Sequence, residues 1–182
     1  MLISTKYTHA DLLAIPYDGK RREILDGELV VTPSPNLTHQ RVLRRLAFAL
    51  MKYLEANPIG EVLVAPLDVI LGDLDVLEPD ILLVLDEHRP ILRDWVRGAP
   101  DLVIEILSPT TAANDRGPKL KAYARHQVPE YWIVDPEAWT LEVYRLAGTG
   151  YELARVFGAD ETLTSELLPG FSVALASVLF EG

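Results

Sequence analysis

The chain has 182 residues, 49% hydrophobic and 24% charged, with no cysteine and a formal net charge of −10. That balance suits an ordinary soluble chain with one sizeable core, so a single domain over residues 1–182 is expected. It excludes disulfides and thiolate zinc sites, contains no apolar run near the roughly 20 residues of a membrane span, and argues against a broad non-specific grip on nucleic acid.

The opening residues lack the charged head, apolar middle and small-residue cleavage site of a secretory leader, so the expected location is cytoplasmic, with no membrane partner. Thr8 followed by His9, Ala10 and Asp11 predicts a short capped helix. Residues 22–25 and 28–32 flank Asp26-Gly27, the signature of a tight hairpin. From 38 to 56, Val42, Leu46, Ala49, Leu50 and Tyr53 recur at three- and four-residue spacing, which predicts a long amphipathic helix. Asn57-Pro58 ends it.

Residues 61–65 and 67–71 read as strand with Pro66 a bend between them. Residues 81–85 and 101–107 are apolar runs of central-strand character. The stretch 86–98 is polar and irregular, with a helical turn possible over 91–96. A helix is expected to begin between Asp115 and Pro118 and to end near His126. Strand 130–134, a hairpin over 140–157 and a short closing helix or extended tail over 174–180 complete the chain. The order predicts a mixed α/β (α+β) fold, a largely central mixed sheet flanked by helices.

Two apolar strands carry acids that such strands rarely tolerate without a cation, a donor or water. Asp80 stands at the mouth of 81–85, and Glu105 interrupts Leu102-Val-Ile and Ile106-Leu107. Alternation puts Glu105 on the face opposite Ile104 and Ile106. If the two strands are neighbours, both carboxylates reach one ion, with the carbonyl of Ile106 a further ligand. Magnesium is satisfied by one or two carboxylates and retained waters, and a nearby ammonium would orient water or screen a phosphate. Taken singly, Asp80 also suits a turn, Glu105 a buried salt bridge or solvated face, and Lys119 and Lys121 a helix surface. The ordered combination is what points to chemistry.

At these residues the sequence resembles the PD-(D/E)xK, or restriction-endonuclease-like, superfamily, and more closely its Uma-two family. The similarity runs over nearly the whole chain. It is carried by the order and spacing of Arg22-Glu-Ile-Leu-Asp-Gly-Glu, Thr38-His-Gln, Glu78-Pro-Asp-Ile, Asp101-Leu-Val-Ile-Glu-Ile, Asp115-Arg-Gly-Pro-Lys-Leu-Lys-Ala-Tyr, Val128-Pro-Glu-Tyr-Trp and Leu168-Pro-Gly.

The resemblance implies a restriction-endonuclease-like core and a metal-dependent endonuclease hydrolysing DNA phosphodiester bonds with magnesium or manganese. It assigns Asp80 and Glu105 as the paired acids. The superfamily lysine two residues after the second acid is here Leu107. Lys119, on the following helix and four residues before Tyr123, takes its place, with Lys121 as second choice. Glu23, His39 and Gln40 match family positions and are expected behind the metal or beside substrate. A homodimer is implied, with Trp95, Trp132 and Trp139 as interface candidates, although Trp132 also suits the core. The alternative is a catalytically degenerate nucleic-acid-binding or regulatory module on the same fold, which the missing strand lysine motivates.

Overall fold

In the computed structural model of the chain, residues 6–16 and 18–180 are described. Residues 1–5, part of the segment read as lacking a leader, lie outside them.

The two apolar runs form the middle of a six-stranded sheet, ordered β11-β10-β9-β8-β6-β3. Its strands are β3 (Gly60–Val64), β6 (Ile81–Leu85), β8 (Leu102–Ile106), β9 (Glu130–Asp135), β10 (Thr140–Ala147) and β11 (Gly150–Gly158). The pair β8–β9 is parallel and every other ladder is antiparallel. Period-two alternation sorts the side chains of β8 and β9 onto two faces. Ile104, Ile106, Trp132 and Val134 join the larger core with α2 (Leu37–Ala56) and α5 (Leu175–Leu179). Val103, Tyr131 and Ile133 pack on the other face with Ala122 and Tyr123 of α4 (Leu120–Arg125). Burial on both faces is why the strand sequences are mostly apolar.

The expected mixed central sheet is present, and it has a companion. A second sheet of five strands is ordered β2-β1-β5-β4-β7. It contains β1 (Arg21–Leu25), β2 (Glu28–Thr32), β4 (Val69–Gly72), β5 (Asp75–Leu77) and β7 (Val96–Arg97). The bend at Pro66 separates β3 from β4 so fully that they enter different sheets. Proline has no amide proton with which to continue the ladder. The three residues of β5 and two of β7 are too short to give a readable alternation. The same is true of the ribbon β12 (Thr162–Thr164) with β13 (Ser172–Ala174).

Two helix boundaries also differ. The helical turn expected over 91–96 lies earlier, as a 3-10 turn over Asp86–Ile91 led by Asp86 and Glu87. Acids at a helical N-terminus meet free amides, which favours this placement. The helix expected to start between Asp115 and Pro118 starts at Ala112, as α3 (Ala112–Asn114). It passes Pro118 through a π-turn over Asp115–Lys119 before α4. The wider turn accommodates a residue that lacks a donor.

Other local signals behave as chemistry requires. The Thr8 amide and hydroxyl both donate to Asp11 at the start of α1 (His9–Ala14). Trp132 is fully buried, whereas Trp139 is 55% exposed. Asp26 and Gly27 turn the β1–β2 hairpin with φ of 52° and 78°. A Cβ on Gly27 would stand 2.8 Å from the Cβ of Lys6. Gly27→Ala is therefore expected to cost about 1–2 kcal/mol, measured as a lower urea midpoint at unchanged slope. An unchanged midpoint would show that the turn relaxes freely. Among the described residues no helix is long and apolar enough to cross a membrane.

Candidate functional site

The antiparallel ladder of β6 and β8 pairs Ile81 with Ile104. One step further along the same register lie Asp80 and Glu105, on the face turned toward β1 and α4. The Ile106 amide donates to Asp80 Oδ2 at 2.8 Å, fixing the carboxylate against the end of β8. His39, in the first turn of α2, sets its Nε2 3.0 Å from the same oxygen. Asn36 caps that helix by accepting from the His39 amide.

The amine comes from the π-turn. Lys119 Nζ lies 2.8 Å from Glu23 Oε1, 3.0 Å from Glu105 Oε1 and 3.6 Å from Asp115 Oδ1. Tyr123, one turn on, donates to Glu105 Oε1 at 3.1 Å. Glu23 also accepts the Glu78 amide at 2.8 Å. Arg21, two residues before Glu23 and so on the same face of β1, reaches Asp80 at 3.3 Å and Glu78 at 3.0 Å. The cleft these groups surround has a volume of about 20 Å³, lined by Arg21, His39, Asp80, Glu105, Asp115 and Lys119. That is room for about one water-sized occupant.

The charges do not balance. Five acids, Glu23, Glu78, Asp80, Glu105 and Asp115, face two permanent cations, Arg21 and Lys119. Burial is the largest influence on Glu105 and pushes its carboxyl up. Asp115, Asp80 and Glu23 push the same way against the Lys119 ammonium. Asp115 is raised for the same reason. Glu78 is pushed up to about 7, again chiefly by burial, with Arg21 opposing. Burial also works to raise Asp80, but the His39 hydrogen bond, the His39 and Arg21 charges and the Ile106 amide together outweigh it and hold Asp80 low. Burial would lower Lys119, yet Glu105, Glu23 and Asp115 raise it, so the ammonium stays charged.

A surplus of buried negative charge calls for protons or for a cation. The donor set fits a hard divalent ion with oxygen ligands. Asp115 Oδ1 is buried without a hydrogen-bond partner, although Lys119 is within ion-pair range. Both hydrogen bonds to Glu105 end on Oε1, so Oε2 carries neither.

Thus Asp80, Glu105, Lys119, Glu23 and His39 come together, and Ile106 lines the same cleft. Two sequence candidates do not join them. Lys121 is exposed, because two residues along a helix from Lys119 is a different face. Gln40 is exposed and lines a neighbouring cavity instead.

Arg21, Glu78 and Asp115 were not singled out from the sequence. Their signals were spacing: Arg21 and Glu23 two apart on a strand, Glu78 and Asp80 two apart, and Asp115 four before Lys119. A second group of possible ligand atoms, from Glu87, His88 and Asp101, lies within 4.8 Å at the opposite end of β6 and β8. There Asp101 accepts the Leu85 amide and pairs with His88 at 2.7 Å, clasping the two strand ends.

The sequence profile of the Uma2 family, described as "Putative restriction endonuclease", matches residues 9–176. "Uncharacterized protein slr1290" of Synechocystis sp. is 24% identical over 167 residues, covering 90% of this chain and 85% of that protein. A crystal structure described as a "putative nuclease belonging to DUF820", from Anabaena variabilis, superposes with a TM-score of 0.78 at 21% identity. The match covers 94% of this chain and 97% of that one. At that identity the likeness establishes the fold.

Proposed function

The chain belongs to the Uma2 family of restriction-endonuclease-like proteins, and from that membership we propose that it is a divalent-metal-dependent nuclease hydrolysing phosphodiester bonds of DNA. The observation that carries the reading is that Asp80 and Glu105 line one ion-sized cleft with the Lys119 amine on Glu105. In this reading Asp80 and Glu105 hold magnesium or manganese, with Asp115 and the Ile106 carbonyl as further oxygen donors. The ion, when bound, acidifies water and neutralises charge gathering on the phosphate.

The chain's own groups do the rest. His39 and the Ile106 amide hold Asp80 in one orientation. Tyr123 and Lys119 do the same for Glu105. The Lys119 ammonium, kept charged by its acids, stands where it can donate to the attacking water or to a phosphate oxygen. Leu107, at the superfamily's lysine position, packs in the core, and Lys119 would supply the amine to Glu105 instead. A homodimer would present one such cleft to each DNA strand.

The test is plasmid nicking with magnesium or manganese, alongside the rise in melting temperature that either ion produces. Both are expected to increase with pH. An acid raised in the folded state binds its proton more tightly than in the unfolded chain, and a metal must displace it. Glu105, a proposed ligand lifted from 4.5 to about 8, sets the window, so metal stabilisation should be weak at pH 5 and still rising through pH 8. No nicking and no thermal shift at millimolar manganese would instead favour the degenerate regulatory module.

A further inference from the structure

Beside the ion-sized cleft lies a larger cavity of about 370 Å³. Arg21, Pro35 and Asp80 line both, so the two are neighbours. The larger one adds Lys20, Gln40, Leu43, Pro66 and Glu78 to its wall.

Three features of this wall are unexplained by holding a metal. Arg21 is anchored by acids on one side, yet its Nη2 is buried with no hydrogen-bond partner. Its Nε is 3.0 Å from Glu78 but is also not aligned as a hydrogen bond. Both atoms are closed to solvent, so an oxyanion in the cavity would be met by a turn of the guanidinium, whose fork suits a planar or tetrahedral group. Gln40, at the start of α2, is exposed, and its side-chain amide makes no hydrogen bond among the described residues. An amide of this kind can both donate to and accept from a base edge. Leu43 and Pro66 provide apolar surface between these polar groups. The volume is at the small end of ligand pockets, roughly 300–1,000 Å³. It is concave, and a duplex would lie across its mouth rather than enter it.

We propose that this cavity is a subsite for one unpaired nucleotide of the DNA strand next to the scissile phosphate. Arg21, with Lys20 at the rim, takes that nucleotide's phosphate. Gln40 takes the base edge, and Leu43 and Pro66 receive the base or sugar. The proposal rests on the nuclease reading and narrows its substrate to DNA with unpaired nucleotides, such as single strands, bulges and flaps. Enzymes that handle extruded bases bind them in enclosed pockets of this type.

The experiment uses the full chain and three fluorescein-labelled oligonucleotides of one sequence: a paired duplex, a duplex with a one-nucleotide bulge, and a single strand. Affinity is read by anisotropy in EDTA, and cleavage is timed separately in manganese. The bulged and single-stranded probes are expected to bind at least about fivefold tighter than the duplex, the worth of one hydrogen bond or more. Gln40→Ala, at an exposed position where folding is not at stake, should erase that preference and raise KM while leaving kcat unchanged. Arg21→Lys, which keeps the charge but loses the fork, should weaken all unpaired probes. Equal affinity for the three probes, or a preference that survives both substitutions, overturns the subsite. Absence of cleavage of every probe by the unmodified chain counts against the nuclease reading alone, because the binding comparison needs no turnover.

Discussion

Glu105→Gln is expected to abolish metal-dependent nicking while leaving the metal-free protein at least as stable as the parent at pH 8. The carboxylate is buried on the same face as four other acids, and burial together with their charges raises its pKa. For an acid raised on folding, the favourable contribution is complete below the unfolded value and is lost as pH rises through the folded one. The amide stays neutral at every pH, so the advantage of the variant should grow with pH. It also retains an oxygen to accept from Lys119 and Tyr123, which now hold Oε1 at 3.0 and 3.1 Å.

What the substitution removes is the negative charge that a divalent ion needs. Nicking should fall by at least roughly a hundredfold, and the thermal shift with manganese should vanish. Urea denaturation at pH 5 and 8, with and without manganese, separates the two effects. A variant that nicks like the parent would remove Glu105 from the metal site. A variant that is much less stable without metal would mean that the carboxylate serves packing rather than chemistry.

Lys119→Met should have the opposite sign on stability. The ammonium serves Glu23, Glu105 and Asp115 at 2.8, 3.0 and 3.6 Å. Removing it strands three buried carboxyls without their cation, and breaking a buried pair in this way typically costs about 3–5 kcal/mol. The acids can escape only by binding protons. The deficit should therefore be largest at pH 8 and shrink toward pH 5, where the raised pKa values of Glu105 and Asp115 leave more of them neutral. Adding Glu105→Gln to Lys119→Met should recover part of the loss, since residues in direct contact are not additive. A single variant within about 1 kcal/mol of the parent at pH 8 would mean that the cluster is solvated well enough to need no internal cation.

On the proposed reading, one cluster would serve both fold and function. Three of its carboxylates hold Lys119, and Lys119 ties the π-turn between α3 and α4 to β8 and β1. The cluster still carries more acid than base, so it is electrostatically incomplete in a way that a divalent ion would complete. Sites that bind metal commonly trade stability for function in this manner.

Several elements were legible in the residues alone because their physics is local. The Asp26-Gly27 hairpin follows from which residues accept positive φ. The helix over Leu37–Ala56 follows from apolar spacing. The central strands follow from apolar runs, broken in one of them by Glu105 alone. The second sheet was not legible, because β5 and β7 are defined by partners distant in the chain rather than by their own three or two residues. Pro118 misled for a related reason. It suits a first helical turn, but the helix begins earlier, at Ala112, and passes it through a π-turn.

The sequence by itself determined that Glu105 would interrupt a buried strand, that Asp80 would open another, and that a lysine would follow on a helix, because alternation and helical spacing need only neighbours along the chain. Only the tertiary structure decided that β6 and β8 are adjacent, that β1 from another sheet brings Arg21 and Glu23 to the same cleft, and that Lys119 rather than Lys121 faces it. The reason is that charge balance in a buried cluster is a property of the assembled set. No single strand or helix contains enough of its members to reveal whether the whole is neutral or still wants a cation.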